Sequence, residues 1–242
     1  MHDFGQIYGV SLTPLDRALS LRSLLLGLVL TGVGVMVVVL TDEAGSGLPQ
    51  RAARMAVLLP AFSAAAALLA VLQMSRRGEL RALAALGVPR ARAVRGAVVG
   101  GWLLALLGVG LLAWPRAATA SLFPVPPRGA AFELREDGAL VEPSQGVAVT
   151  PQGEVAFLQT ATTPEGSPPP RWAALLAVAS LGIAAPLWAA HARRVRTAGM
   201  VAAVTAVLSV VLFHAVGAGR SPPVLLALCG VPLLMDAFRS RA

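Results

Sequence analysis

Between two long apolar runs the chain reads Ser75-Arg76-Arg77-Gly78-Glu79-Leu80-Arg81-Ala82-Leu83-Ala84-Ala85-Leu86-Gly87-Val88-Pro89-Arg90-Ala91-Arg92. Leu80, Leu83 and Ala84 fall on one helical face, and Leu86 and Gly87 extend that face by about one turn. Glu79 lies in the first turn, where a carboxylate suits the positive end of the helix dipole. Gly87 followed by Pro89 stops the helix, the glycine by accepting a left-handed turn and the proline by refusing to continue. Residues 76–88 therefore predict a short, capped, amphipathic helix.

Its flanks are apolar and long. A helix needs about 20 mostly apolar residues to cross the hydrocarbon core of a bilayer. Met55 to Met74 precedes the short helix and Gly96 to Trp114 follows it, while Ser23 to Leu40, Trp172 to Ala190 and Ala198 to Val216 are runs of the same kind. A sixth run, Ser221 to Phe238, is interrupted by Pro222, Pro223 and Pro232 and carries Asp236. Its first two prolines are tolerable, because the first helical turn has no backbone partner to lose. The pattern predicts a mainly α, polytopic membrane protein of six transmembrane helices. The first run starts too late and runs too long for a signal peptide and lacks a small-residue cleavage site, so a retained span is expected.

Composition narrows the chemistry. Of 242 residues, 56% are hydrophobic and 13% charged, against about 25% charged in an ordinary soluble domain. All 20 basic residues are arginine, and neither lysine nor asparagine occurs. That excludes a P-loop lysine, a Schiff-base lysine and a Ser-Lys dyad. A single cysteine, Cys229, excludes an internal disulfide, and with three scattered histidines it argues against a metal centre. There is no Gly-x-Ser-x-Gly elbow, no His-Glu-x-x-His pair and no carboxylate pair within a span. The chain is not expected to be an enzyme or to bind a cofactor or metal.

The arginines set an expected orientation, because short cytoplasmic loops are enriched in basic residues. With both termini inside, the inner side holds 13 arginines and four acids, net +9, and the outer side seven arginines and eight acids, net −1. The pI near 11.5 is then a topology signal. No nucleic-acid partner is expected, since base-stacking aromatics are not interleaved with these arginines.

The one sizeable hydrophilic segment, residues 115–171, would lie outside between spans three and four. A Pro-rich stretch, Phe123 to Arg128, opens it and Pro168-Pro169-Pro170 closes it, as spacers. Ala131 to Arg135, Ala139 to Glu142, Gly146 to Thr150 and Glu154 to Thr160 read as short strands, with Asp137-Gly138 and Pro151-Gln152-Gly153 as turns. The expected organisation is a cytoplasmic N-terminus and elbow helix (1–22), spans one to three with the short helix (23–114), a small periplasmic β-rich domain (115–171), and spans four to six with a cytoplasmic C-terminus (172–242).

Such a short helix across the inner ends of two spans can transmit a push from a soluble partner, its acid pairing with a basic residue while its leucines fill a groove. It can equally be an interfacial helix whose arginines hold anionic headgroups. The pattern Glu-Leu-x-Ala-Leu-x-Ala-x-Gly-Val, Glu79 to Val88, resembles the coupling-helix signature of ABC-transporter permeases, shared by the FtsX/MacB/LolC type and by the lipopolysaccharide-exporter permeases LptF and LptG (YjgP/YjgQ). The span order is similar to the second family: six spans, the coupling helix between the second and third, and the outside β-domain between the third and fourth. The outside segment, about 57 residues, is far shorter than that family's jellyroll. It would be reduced to a lid or completed by a periplasmic β-structured partner.

The resemblance implies a permease subunit in a bacterial inner membrane, paired with a second permease, identical or LptF/LptG-like. A cytoplasmic ABC ATPase dimer would hold ATP and Mg, and the cargo would be lipid-like or lipid-linked. Glu79, Leu80, Leu83, Leu86, Gly87 and Arg90 would couple to the ATPase. Alternatives are an FtsX/MacB-like mechanotransmitter that moves no cargo and a non-transporting scaffold of an envelope complex.

Other residues carry weaker expectations. Gly96 and Gly100, with Gly101, give span three a small-residue face, and Gly27, Gly32 and Gly34 thin span one. These glycines could pack within the chain or, by the resemblance, line the gate between two permeases. His214 is an intramembrane ionisable group and so a functional candidate. His191 is expected at the inner interface, and Asp236 is expected to pair with Arg239 at i+3. Arg51, Arg54, Arg116 and Arg220 fall near the outer interface, where they would snorkel or meet the phosphates of an anionic lipid.

Overall fold

The computed structural model describes residues 13–41, 47–123, 133–134, 138–142, 147–150, 152–157, 169–192 and 195–239; of residues 133, 142, 157, 195 and 196 it describes the backbone alone. Asp3, Arg193, Arg194, Arg241 and most of the Pro-rich spacers lie outside them.

The first helix, α1 (Pro14–Leu40), opens with a complete capping box. The Thr13 hydroxyl accepts from the Asp16 N–H at 3.2 Å, and the Asp16 carboxylate accepts from the Thr13 N–H at 3.0 Å. Pro14 sits where no intrahelical donor is needed. The helix then runs unbroken into the apolar run, so of the 1–22 stretch expected as N-terminus and elbow helix, residues 14–22 are the start of the first long helix. Next come α2 (Leu48–Arg76), α3 (Glu79–Ala85), α4 (Arg90–Ala93) and α5 (Arg95–Ala113). After the hydrophilic segment follow α6 (Arg171–His191), α7 (Val195–Gly217) and α8 (Val231–Arg239). The chain is a mainly α-helical membrane protein: among the described residues five helices, α1, α2, α5, α6 and α7, are long and apolar enough to cross a bilayer.

The sixth run does not form one helix. It divides into a 3-10 helix, Pro223–Gly230, and the short α8. Pro232 is the physical reason, since it offers no N–H to Leu228 and its ring crowds that turn. Ser180 on α6 repairs the break. Its hydroxyl donates to the Ala227 carbonyl at 2.6 Å and accepts from the Gly230 N–H at 2.9 Å. Further along, the Trp188 indole N–H donates to the Asp236 carboxylate at 2.9 Å. Increasing numbers on α6 meet increasing numbers on the broken run, so the two lie parallel.

Small residues hold the bundle, as is usual where helices gain no hydrophobic advantage by leaving lipid. Helix α5 is the hub. A side chain at Gly96 would strike the backbone of Asp16, and one at Gly100 that of Ser20. Between them the Ser23 hydroxyl donates to the Ala97 carbonyl at 3.1 Å, so α1 and α5 run parallel. On α5's other faces Gly101 lies against Pro186 of α6, and Gly108 against the Ala56 carbonyl of α2. Pro60 supplies no N–H for that carbonyl, and a glycine opposite lets α5 close over it. Alanines 53, 56, 66, 67, 70, 173, 174, 177, 184, 189 and 190 fill the remaining helix contacts.

Two long helices stay on the rim. In α1 and α7 only 17% of the apolar window is buried, against half or more in α2, α5 and α6. At its far end α7 is held by Phe213, whose ring lies 5.3 Å from that of Phe123, a buried residue just past a 3-10 turn at Thr119–Leu122.

The strands expected in the hydrophilic segment occur at the expected places but are shorter. They are β1 (Glu133–Leu134), β2 (Leu140–Glu142), β3 (Val147–Val149) and β4 (Val155–Phe157), an antiparallel meander in sequence order. Val141 pairs with Glu133 on one side and Ala148 on the other, and Ala148 pairs with Ala156. Gly138 and Gly153 turn with positive φ. The outer parts of Ala131 to Arg135 and Glu154 to Thr160, with Asp137 and Pro151, fall outside the described residues.

Candidate functional site

Helix α3 is built between two glycines. Helix α2 ends at Arg76, and Gly78, with φ +77°, turns the chain so that its carbonyl receives the Arg81 and Ala82 N–H groups at 3.1 and 3.0 Å. At the other end Gly87 has φ +76°, a conformation a Cβ would oppose. The Val88 N–H reaches back to the Leu83 carbonyl at 3.0 Å and the Gly87 N–H to Ala84 at 3.0 Å. That pair of bonds is the Schellman closure, and Pro89 then begins α4. The helix is a single closed lever of seven residues, shorter than the 76–88 expected.

Burial divides its leucines in a way the spacing does not. Leu80 and Leu83 pack inward on the cluster formed by Leu19, Val71, Met74, Val94 and Ala190. Leu86, expected on the same face, is 79% exposed, beside exposed Ala82 and Ala85. At about 100° per residue Leu86 stands about 120° round the helix from Leu80, off the anchored face, and as the C-cap (φ −82°, ψ 5°) it is the last residue before the turn at Gly87. Leu80 and Leu83 are thus bolts to the bundle and are not free to fill a partner's groove. The free apolar surface is Leu86 with Ala82 and Ala85.

The field around that surface is basic. Arg76, Arg77, Arg81, Arg90 and Arg92 are exposed, and Glu79 is the one acid between residues 75 and 95. A guanidinium nitrogen of Arg77 lies 3.9 Å from a Glu79 carboxylate oxygen, both side chains well exposed, so the pair adds little stability.

The remaining nominated residues disperse. Gly27 faces Leu104 and Ala66, and Gly34 faces Phe62, so both pack inside the chain, whereas Gly32 opens onto free space. Gly96 and Gly100 are spent on α1. His214 is exposed on α7, with Nδ1 3.0 Å from the Val210 carbonyl. His191, the last residue of α6, is 5% exposed, with Nδ1 2.8 Å from the Leu187 carbonyl. Asp236 takes Trp188 as partner, and no ion pair joins it to Arg239. The indole is held by the α6 contact, whereas Arg239 stands exposed at the helix end.

Arg51 and Arg54 lie in the first turns of α2, and Arg116 just past α5. These two regions meet, since the Ala118 N–H donates to the Pro49 carbonyl at 3.2 Å. Arg220 follows α7, whose end, through Phe213 and Val216, packs in the same apolar cluster as Ala53 and Phe123. The sequence reading missed Arg171. Its guanidinium donates to the carbonyls of Trp114, Pro115 and Ala117, the loose end of α5. It therefore closes both stems of the hydrophilic segment at one point. A signal existed, because a cation on the first residue of a helix opposes the helix dipole and so demands an acceptor elsewhere.

Among the described residues no group of three His, Cys, Asp or Glu is placed to hold a metal ion. Comparison of the chain with protein-family models, with curated proteins and with solved structures found no match.

Proposed function

We propose that the chain is the permease subunit of an ABC-type exporter of LptF/LptG-like organisation, lying in a bacterial inner membrane with both termini cytoplasmic. The observation that carries this is the lever at residues 79–88: bolted to the bundle by Leu80 and Leu83, sealed by Gly78 and Gly87, and presenting Leu86 outward. A helix meant only to rest on headgroups would turn its apolar side chains to the bilayer. An outward leucine ringed by arginines suits a docked protein instead. Because Leu80 and Leu83 reach the cluster shared by α1, α2, α5 and α6, a push on the lever is delivered to the packing of four helices.

The broken run 223–239 supports a sixth crossing. Eight residues of 3-10 helix at about 2 Å and nine of α-helix at about 1.5 Å give about 29 Å, near the hydrocarbon thickness of about 30 Å. The run also stays parallel to α6 from Ser180 to Trp188. A sixth crossing puts the C-terminal Arg239 and Arg241 on the same side as the lever and the α6 end, in line with the charge bias.

In this reading the chain binds no ATP and performs no chemistry. A separate ATPase dimer holds ATP and Mg and closes on the nucleotide, and its closure biases a two-state cavity formed with a second permease. A lipid-like cargo moves outward as that population shifts. The small β-meander, stemmed on Arg171, stands at the exit as a lid or as the attachment point of a periplasmic partner.

The test is co-purification in mild detergent with ATPase assay. The intact chain should bring down a nucleotide-binding subunit and stimulate it. Glu79→Ala and Leu83→Pro should each release or uncouple that subunit, and unchanged binding and stimulation in both would end the proposal. Stimulation without any change in envelope lipid would favour a mechanotransmitter, and a preparation with no ATPase would favour a scaffold.

A further inference from the structure

Between α1 and α2 lies a groove of about 360 Å3, lined by Leu21, Arg22, Leu25, Leu26, Val29 and Gln73. Its polarity runs along its length. Arg22 stands eight residues into α1, and Gln73 three residues before α2 ends, so both polar groups sit near the arginine-rich end of the bundle. Leu25, Leu26 and Val29 continue along α1, about 5–10 Å deeper at 1.5 Å per residue. The groove is a charged mouth over an aliphatic floor, open to the bilayer because Leu21, Leu25 and Val29 are exposed on the lipid-facing side of α1.

An arginine at the basic mouth of an apolar groove favours an anionic headgroup. No described carboxylate serves: Asp16 is engaged by Thr13 and Glu79 by Arg77. Arg17, Arg76 and Arg77 close by make the mouth more positive. A guanidinium fork matches a phosphate diester, and the Gln73 amide can donate to an ester or phosphate oxygen. An amphiphile with an anionic head at the basic end and an alkyl chain pointing toward the bilayer middle complements every feature.

We infer that this groove is a binding site for one anionic phospholipid of the leaflet on the basic side, its phosphate on Arg22 and one acyl chain along Leu25, Leu26 and Val29. The inference rests on the membrane character of the chain and not on the transporter proposal. A lipid seated there would also cover part of the outer face of α1, of whose apolar window only 17% is buried.

Native mass spectrometry of the full chain in detergent tests this, with phosphatidylglycerol and phosphatidylcholine of identical acyl chains. Phosphatidylglycerol should bind about fivefold more tightly, because phosphatidylcholine carries the same phosphate but offsets it with its own choline cation, and the difference is the pull of about one arginine on one net charge. Arg22→Gln should abolish that preference, and Val29→Trp, which fills the groove, should weaken both lipids. Arg81→Gln, a cation removed from the exposed lever, should change neither. Glycerol phosphate, the headgroup without its chains, should not displace the lipid. Equal binding of the two lipids, equal losses in Arg22→Gln and Arg81→Gln, or displacement by glycerol phosphate would each overturn the inference.

Discussion

The indole N–H of Trp188 donates to the carboxylate of Asp236 across 2.9 Å, joining α6 to α8 near the arginine-rich end of the bundle. The bond gives a half-buried acid a neutral donor and locks the direction of the broken run. Trp188→Phe should leave the carboxylate without that donor and lower stability by about 1–2 kcal/mol. Thermal unfolding in detergent reads this. Asp236→Leu in the Trp188→Phe background should recover part of the loss, and Arg239→Gln should stay within about 0.5 kcal/mol of the parent.

Close approach at α5 makes a second expectation. Gly100 faces the Ser20 carbonyl with no room for a methyl group, while Gly110 on the same helix has nothing within 4 Å. Gly100→Ala should cost about 1–3 kcal/mol through forced separation of α1 from α5. Gly110→Ala should be neutral or stabilise by up to about 1 kcal/mol. The same unfolding assay compares them, and equal effects would contradict the assigned packing.

Arg171 should hold the base of the hydrophilic segment. Arg171→Ala releases the carbonyls of Trp114, Pro115 and Ala117 together. Limited proteolysis should then cut within residues 115–170 several-fold faster. Arg171→Lys should restore little, because one ammonium cannot reach three carbonyls as a planar fork does.

The lever should distinguish its two kinds of leucine. Leu83→Asp buries a charge against Met74 and Val94 and should detach α3, seen as faster amide exchange over residues 79–86. Leu86→Asp, at an exposed site, should leave exchange and stability within about 0.5 kcal/mol of the parent.

What the sequence made legible was whatever depends on local composition. Five apolar runs became five long helices, because twenty apolar residues have few other fates in a bilayer. The helices overran those runs, α1 starting at Pro14 instead of Ser23, since a capped backbone does not stop at the hydrocarbon edge. The four strands and their glycine turns were legible from alternation and turn chemistry. Less visible was anything set by a distant neighbour. Asp236 had an arginine at i+3, the only partner local spacing could offer, yet the fold gave it a tryptophan 48 residues away. Leu80, Leu83 and Leu86 recur every three residues, but at about 3.6 residues per turn each step drifts, and by Leu86 the drift has carried the side chain off the face that meets the bundle. Among the span-one glycines, only contacts with Phe62 and Leu104 separate Gly27 and Gly34 from Gly32.

The docking of a motor beneath the lever can be probed most directly at Leu86. A photo-crosslinking side chain placed there in the full-length chain, illuminated in intact cells, should capture a nucleotide-binding subunit, and the adduct should diminish when Glu79 is replaced by alanine. Adducts to lipid alone, unchanged by that replacement, would contradict the account.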